Sequence, residues 1–396
     1  MSLASLSSRP VCVSYIDNAA SDLFSVSLTF AALLRIYPSR TTRQGMQADH
    51  SNVAPCVGII ANPVSARDIR RVIANASNLQ IADRVNIVLR VLTALAAMRV
   101  PRVLIMPDKG GIRAMLMRSL NRERNLHHAF PEVEFLDMEP TSTVEDTFLA
   151  ARMMRAAGVK SIIVLGGDGT HRAVVRECTD IPIAGLSTGT NNAFPEMGES
   201  TITAMAVGLY ATGKLSAEQA LAPNKLLEVS INEGQRHDIA LVDAVISTDR
   251  YIGARALWKT ENLAAVYLAF ANPQAIGLSA IGGLLHPLGR RDAGGLAVHL
   301  SDDPATRRLW LRAPIAPGMV REVGIAPWEP MPAGQPFAVA LQAGVVALDG
   351  EREMAFDAGD RVHITRRENA FPPVDVARCM QTAARGGLFR LSSSTH

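Results

Sequence analysis

The residues best suited to chemistry form one short stretch, the glycine motif Gly166-Gly167-Asp168-Gly169-Thr170, which follows the mostly apolar residues 161–165. Glycines between a buried strand and a helix let backbone N–H groups approach a polyphosphate, with the positive helix N-terminus behind them. A carboxylate is useful in such a turn when it binds a divalent cation or takes a proton from an attacking hydroxyl. The motif therefore predicts phosphoryl transfer from a magnesium–nucleotide. An ordinary strand–turn–helix corner is the alternative.

Two further polar turns follow apolar strands. Residues 187–192 contain hydroxyl and amide side chains after one strand, and Asn62 ends another strand at 57–61. Such groups suit phosphate oxygens and ribose hydroxyls without adding charge. Because ligands of doubly wound sheets sit beyond the carboxyl ends of the strands, we expect these turns and the glycine motif to converge on one crevice. A turn capped by its own side chains is the alternative for 187–192.

The elements that must position these residues indicate an α/β fold with two domains. Between residues 55 and 222, strands alternate with helical periodicity, which predicts a doubly wound parallel sheet that binds a nucleotide. Residues 223–375 predict a mainly antiparallel β domain for substrate binding or oligomerisation, with one helical insert at 255–270. Residues 1–54 fit neither pattern, and we interpret them as a poorly ordered or dispensable extension.

Composition excludes several classes of function. The chain has 396 residues, a formal net charge of +3, 48% hydrophobic residues and 5% aromatic residues. This weak positive charge does not predict a nucleic-acid surface, and no apolar run is long enough to predict a membrane span. The four cysteines form no Cys-x-x-Cys pair, which favours a reducing, cytoplasmic location without structural zinc.

The glycine motif is also the signature of the NAD kinase and diacylglycerol kinase superfamily, which this chain resembles. Within that superfamily the chain is most similar to the NAD-kinase-like branch associated with acetoin catabolism. The other stretches that match, in the same order, are Asn62-Pro63-Val64-Ser65, Thr188-Gly189-Thr190-Asn191-Asn192-Ala193-Phe194, Leu278-Ser279-Ala280-Ile281-Gly282-Gly283 and Leu348-Asp349-Gly350-Glu351.

The resemblance implies a kinase that uses ATP and Mg²⁺, with NAD as the leading acceptor and NADP as its product. It makes Asp168 the general base or the metal ligand, two roles that the sequence does not separate, and it suggests Glu351 as a second base. An Asp-Gly hairpin turn is the alternative for residues 349–351. The residues expected to bind the nucleotides are Asn62, Gly166, Gly167, Gly169, Thr170, Thr188, Gly189, Thr190, Asn192 and Asp243. The resemblance also implies that the tail 376–396 packs back on the first domain and that the protein is a homo-oligomer.

Two other functions remain open. In the strand where NAD kinases carry Asn-Glu, this chain has Val242 and Asp243. That difference favours either a nucleotide-binding sensor without turnover or a kinase for another hydroxyl compound. The low aromatic content makes a lipid acceptor the weaker choice. A P-loop kinase is not predicted, because the Gly-x-x-x-x-Gly-Lys-Ser/Thr pattern is absent from the sequence.

Overall fold

The computed structural model describes residues 54–63, 80–125, 129–188, 192–195, 198–249 and 259–390. Its first part, residues 54–222, is called the α/β half here. It contains a parallel sheet of five strands in the order β3-β2-β1-β4-β5. The strands are β1 (Cys56–Ala61), β2 (Arg102–Ile105), β3 (Glu132–Phe135), β4 (Ser161–Gly166) and β5 (Ile183–Ser187). The helices are α1 (Ile81–Ala97), α2 (Ile112–Asn125), α3 (Val144–Ala156), α4 (Asp168–Glu177), α5 (Ser200–Ala211) and α6 (Ala217–Ala220).

The two central strands explain where a ligand would bind. Every residue of β1 and β4 is buried, as expected for strands covered by helices on both faces. The strand order reverses its direction between β1 and β4, so the topological switch point lies at their carboxyl ends. Asn62 follows β1 there, and the glycine motif runs from the end of β4 into α4.

Residues 223–390, called the β half, form two antiparallel sheets. The larger sheet has the order β11-β12-β10-β9-β8-β14-β15 and the smaller has the order β13-β16-β6-β7. Their strands are β6 (Asn224–Ile231), β7 (Arg236–Ala240), β8 (Asp243–Ser247), β9 (Leu263–Leu268), β10 (Gly295–Leu300), β11 (Leu309–Ala316), β12 (Met319–Met331), β13 (Pro336–Ala338), β14 (Gly344–Leu348), β15 (Glu351–Phe356) and β16 (Val362–Phe371). The helices of this half are α7 (Ser279–Leu285) and α8 (Val376–Arg385). The predicted fold class, a parallel α/β sheet followed by antiparallel sheets, is confirmed.

The helical insert predicted at 255–270 is wrong for its second part. Residues 263–268 form β9, which pairs with β8 on one side and β10 on the other. The alanines of this segment favour a helix, but pairing on both edges and burial of most of its side chains override that preference. Residues 250–258 lie outside the described residues.

The two halves share one hydrophobic cluster. It contains Ile162 and Val174 from the α/β half together with Val229 and Phe371 from the β half. The C-terminal helix α8 packs against α5 and α6, with Cys379 and Ala383 buried in the second cluster of the α/β half. The residues at the switch point are therefore held between elements of both halves. Among the described residues, no helix is long and apolar enough to cross a membrane.

Candidate functional site

The ends of β1 and β4 are joined by a hydrogen bond between side chains. Nδ2 of Asn62 donates to Oγ1 of Thr170 over 3.2 Å, and the Asn62 backbone N–H donates to the Leu165 carbonyl oxygen over 3.2 Å. The carbonyl oxygen of Asn62 accepts a bond of 2.6 Å from Nη1 of Arg84, a fully buried arginine of α1. The first polar turn and the glycine motif therefore meet, as the sequence predicts.

The glycines of the motif differ in what surrounds them. A Cβ added at Gly166 would lie 2.5 Å from the Cβ of Thr170, so the strand and the first turn of α4 approach too closely for a side chain. Gly167 is the N-cap of α4 and has an extended backbone. A Cβ added at Gly169 would instead lie 3.5 Å from the carboxyl carbon and from both carboxyl oxygens of Glu351. The N-terminus of α4 is thus directly opposite a carboxylate of the β half.

A hairpin turn brings Glu351 to this position. Asp349 and Gly350 have φ values of 50° and 81°, and Leu348 pairs with Glu351 across the turn from β14 to β15. Two central residues with positive φ are the pattern of a type I′ hairpin, which the Asp-Gly sequence favours. Residues 349–351 therefore form a hairpin turn and also place the Glu351 carboxylate opposite Gly169. The interpretation as a turn and the interpretation of Glu351 as a base are compatible.

The carboxylate of Asp168 is bound to backbone. Its oxygens accept hydrogen bonds of 2.9 Å from the N–H groups of Ala193 and Phe194. Burial raises the pKa of Asp168 to about 7, and the negative charge of Asp349 acts in the same direction. The two N–H bonds and the positive charge of Arg290 oppose this rise. Asp168 therefore fixes the backbone that follows the second polar turn.

Asp349, in the β half, also binds backbone N–H groups, and sequence reasoning did not select it. Its buried carboxylate accepts hydrogen bonds from the N–H groups of Leu241, Val242 and Asp243, at 2.8–3.3 Å. Burial raises the pKa of Asp349 to about 6, against the lowering effect of Arg172 and of these N–H groups. The Asp-Gly pair indicated the turn, but no sequence pattern indicated the three N–H groups that this side chain binds.

Arg172 connects α4 to the β half and was also missed. Its guanidinium is buried, with Nη1 3.1 Å from Asp238 and Nη2 2.7 Å from Glu353. Its Nε lies 3.9 Å from Asp349. This network holds the helix that carries the glycine motif against the strands that carry Glu351. The apolar residues 173–175 that directly follow Arg172 were the only signal of its burial.

The remaining predicted residues lie as follows. The backbone N–H of Thr188, a buried residue, donates to the Gly166 carbonyl oxygen over 3.2 Å. Nδ2 of Asn192 donates to Oγ of Ser187 over 2.7 Å. Asp243 is buried and its carbonyl oxygen accepts a 2.9 Å bond from the N–H of Asp349. The structure thus brings Asn62, Thr170, Asp168 and Glu351 around the start of α4. Gly189 and Thr190 lie outside the described residues.

Two family models match successive parts of the chain. Residues 57–214 match the ATP-NAD kinase N-terminal domain, and residues 225–369 match the C-terminal domain of acetoin catabolism protein X. The chain is 59% identical over 343 residues to acetoin catabolism protein X of Cupriavidus necator, covering 86% of this chain and 95% of that protein.

Two solved structures are distantly similar. A yeast NADH kinase complexed with NADH has a TM-score of 0.45 and 12% identity, over 87% of this chain and 91% of that one. A diacylglycerol kinase from Bacillus anthracis has a TM-score of 0.39 and 12% identity, over 81% of this chain and 96% of that one. The identity to the Cupriavidus protein extends over nearly its whole length, and on that basis this chain belongs to the acetoin catabolism protein X family, with an NAD kinase-like N-terminal domain.

Proposed function

We propose that this protein is a kinase that transfers a phosphoryl group from ATP to a hydroxyl group of a small molecule. The observation that carries the proposal is the position of the Glu351 carboxylate opposite Gly169, at the N-terminus of the helix that opens with the glycine motif. A helix N-terminus with glycines is a site for phosphate, and an acid beside it can take the proton of the attacking hydroxyl.

Each group of the site has a distinct role in this proposal. The backbone N–H groups at the start of α4 bind the phosphates of ATP, and Asn62 and Thr170 hold the two turns together. Glu351 is the general base. Asp168, which the resemblance makes the base or the metal ligand, uses its carboxylate to bind the N–H groups of Ala193 and Phe194. We therefore assign Asp168 to fixing that backbone and give the base role to Glu351.

The residues present suit magnesium that arrives with ATP. Mg²⁺ usually keeps several waters and takes one or two carboxylates in addition to substrate phosphates. Among the residues that the structure describes, no group of three His, Cys, Asp or Glu side chains is arranged to hold a metal. Glu351 is the carboxylate at the start of α4 that would meet a bound ion, because both oxygens of Asp168 already accept backbone hydrogen bonds. When bound, the ion would neutralise phosphate charge.

NAD is the first acceptor to test, and a smaller hydroxyl compound is the second. The second candidate is favoured by Val242, which replaces the amide of NAD kinases. Val242 is buried, and its N–H group donates to Asp349 over 2.8 Å. The N–H group of Val242 is therefore already bound by the protein's own carboxylate, which supports an acceptor that makes fewer contacts with residues 241–243 than NAD would.

The test is ADP release from ATP and Mg²⁺ with NAD, polyols, sugars, acetoin-like hydroxyketones or diacylglycerol as acceptor. The proposal predicts acceptor-dependent ADP release with at least one compound. Release with NAD would support NADP formation as the activity. ATP binding without ADP release for any acceptor would contradict the kinase and favour a nucleotide sensor.

A further inference from the structure

The strand that carries Glu351 is held by strand pairing from one side. Among the described residues, β15 pairs only with β14, and it is the last strand of the larger sheet. A strand at the edge of a sheet lacks the second neighbour that would fix its position through backbone hydrogen bonds. Glu351 is the first residue of β15. The position of its carboxylate therefore depends on what else holds this strand.

The strand β15 contains an extra residue near its start. Val346 and Ala347 are neighbours in β14, but their partners in β15 are Met354 and Arg352, so Glu353 is inserted between those partners. At such a β-bulge the ladder is locally disrupted, the strand bends and a side chain is re-aimed. The bulge therefore weakens the hold of β14 on this part of β15.

A contact from α4 holds the bulged segment. Nη2 of Arg172 lies 2.7 Å from Oε1 of Glu353, and Nε of the same guanidinium lies 3.9 Å from Asp349. Arg172 thus contacts the residue two positions before Glu351 and the residue two positions after it. Gly169 precedes Arg172 by about one turn of α4 and lies on the same face of that helix. This face therefore meets β15 twice, with Gly169 opposite Glu351 and Arg172 on Glu353.

The position of Arg172 is itself fixed. Its side chain is buried, and Nη1 donates to Oδ2 of Asp238 in β7 over 3.1 Å. The same oxygen accepts a bond of 3.2 Å from Arg176, one turn further along α4, and Oδ1 of Asp238 accepts a bond of 2.8 Å from the Ile239 N–H. Hydrogen bonds between charged groups are stronger than neutral ones. Arg172 therefore joins α4 to a strand in each sheet of the β half.

We propose that the ion pair between Arg172 and Glu353 is a positioning contact for the base Glu351. It sets where the bulged edge strand lies along α4, and it thereby holds the Glu351 carboxylate opposite Gly169, where it takes the proton of the attacking hydroxyl. This inference rests on the proposed function for the role of Glu351. The position of β15 on α4 does not depend on that function and is tested separately.

The experiment compares Glu353→Ala and Glu353→Gln with a matched control, Glu322→Ala. Glu353→Ala removes the contact but leaves Arg172 paired with Asp238, so the buried positive charge keeps a partner. Glu353→Gln keeps a side-chain oxygen that can accept a hydrogen bond from Arg172. The control removes a glutamate of the same sheet, whose side chain is 62% exposed and pairs with Arg312.

Two quantities are measured for the full-length proteins: the kinetic constants of ADP release, and the position of the Glu351 carboxylate in crystal structures of the wild type and Glu353→Ala. In Glu353→Ala the carboxylate should move away from Gly169 by about 1 Å or more, and kcat should fall about ten- to a hundredfold. The KM for ATP should stay unchanged. Glu353→Gln should recover most of the activity, and Glu322→Ala should match the wild type.

The double variant Glu351→Gln/Glu353→Ala separates positioning from general damage to the site. If Glu353 acts only through Glu351, then adding Glu353→Ala to Glu351→Gln lowers kcat no further, because residues that act as a unit are not additive. A further fall by the factor seen in Glu353→Ala alone would show that Glu353 acts by another route and would overturn the proposal.

The remaining outcomes are distinct from one another. Wild-type kcat in Glu353→Ala, an equal loss in Glu322→Ala, or a Glu351 carboxylate that stays opposite Gly169 in Glu353→Ala would overturn the positioning role. Full activity of Glu351→Gln, or no ADP release by the wild type with any acceptor, would overturn the base role together with the proposed function. In that case the crystal structures would still show whether the ion pair sets the position of β15.

Discussion

The side-chain amide of Asn62 donates a hydrogen bond to the hydroxyl of Thr170 over 3.2 Å, between residues 108 positions apart in the sequence. This bond joins the two strand ends at the switch point. We predict that Asn62→Ala and Thr170→Val each weaken ATP binding and that the double variant is barely worse than either single one. A coupling energy of about 0.5–3 kcal/mol is expected for residues in direct contact. Strictly additive effects in isothermal titration with ATP would contradict the shared role.

We predict that substitution by alanine has opposite effects on stability at two glycines of the motif. Gly166→Ala places a methyl group 2.5 Å from Thr170 and should lower the free energy of unfolding by about 1–3 kcal/mol. Gly169→Ala meets the Glu351 carboxylate only at 3.5 Å and lies within a helix, where alanine is about 0.5–1 kcal/mol more favourable. We therefore expect Gly169→Ala to be at least as stable as the wild type in urea and yet nearly inactive. Full ADP release from Gly169→Ala would mean that catalysis does not depend on the close approach of Gly169 to Glu351.

The buried His171 predicts a loss of stability at acidic pH. Burial lowers its pKa to about 4 from an ordinary value near 6.5, and its Nδ1 lies 2.8 Å from the Gly167 carbonyl oxygen. The unfolded chain therefore takes up a proton on His171 at higher pH than the folded chain. The resulting stabilisation of the folded protein is fully present above pH 6.5 and is lost as the pH falls towards 4. The contribution is roughly 3 kcal/mol.

The nearby acids Asp168 and Asp349 act in the opposite direction over the same range, because their pKa values are raised on folding. Comparing urea unfolding of the wild type and His171→Gln between pH 7 and 4.5 cancels their effect. The stability of the wild type should fall more steeply with acidification than that of the variant. Parallel curves would show that His171 does not titrate differently in the two states.

The Arg172 network predicts a large cost for removing one buried charge. Arg172→Met removes the buried positive charge that pairs with Asp238 and Glu353, although Arg176 still pairs with Asp238, and should lower the free energy of unfolding by about 3–5 kcal/mol. Arg312→Met is the matched control, since this arginine is 75% exposed and pairs with Glu322 at the surface, a contact worth about 0–1 kcal/mol. Similar midpoints for the two variants in urea would contradict the role assigned to Arg172.

The features that could be predicted from the sequence are those with a local pattern. The parallel sheet follows from apolar runs separated by helical periodicity, and the convergence of Asn62 with the glycine motif follows from the rule that strand ends of parallel sheets share one edge. The Asp-Gly turn follows from local turn chemistry. Each of these features is encoded within a few neighbouring residues, so a pattern search can find it.

What the sequence did not reveal depends on contacts between distant segments. The strand β9 was mistaken for a helix, because its pairing with β8 and β10 is not encoded in its own alanine-rich composition. Asp349 and Arg290 bind backbone N–H and carbonyl groups of segments far away in the chain. Backbone groups carry no sequence signal, so only the folded structure identifies the side chains that bind them.

The most direct test of the central claim is the rate of ADP release by Glu351→Gln, measured with ATP, Mg²⁺ and the best acceptor found for the wild type. The control is Glu329→Gln, which changes an exposed acid of β12 in the same half. Loss of a general base should lower kcat about 10²–10⁴-fold in Glu351→Gln. ATP affinity and stability should stay near wild-type values, and Glu329→Gln should keep full activity. Wild-type turnover in Glu351→Gln would contradict the assignment of the carboxylate opposite Gly169 as the catalytic base.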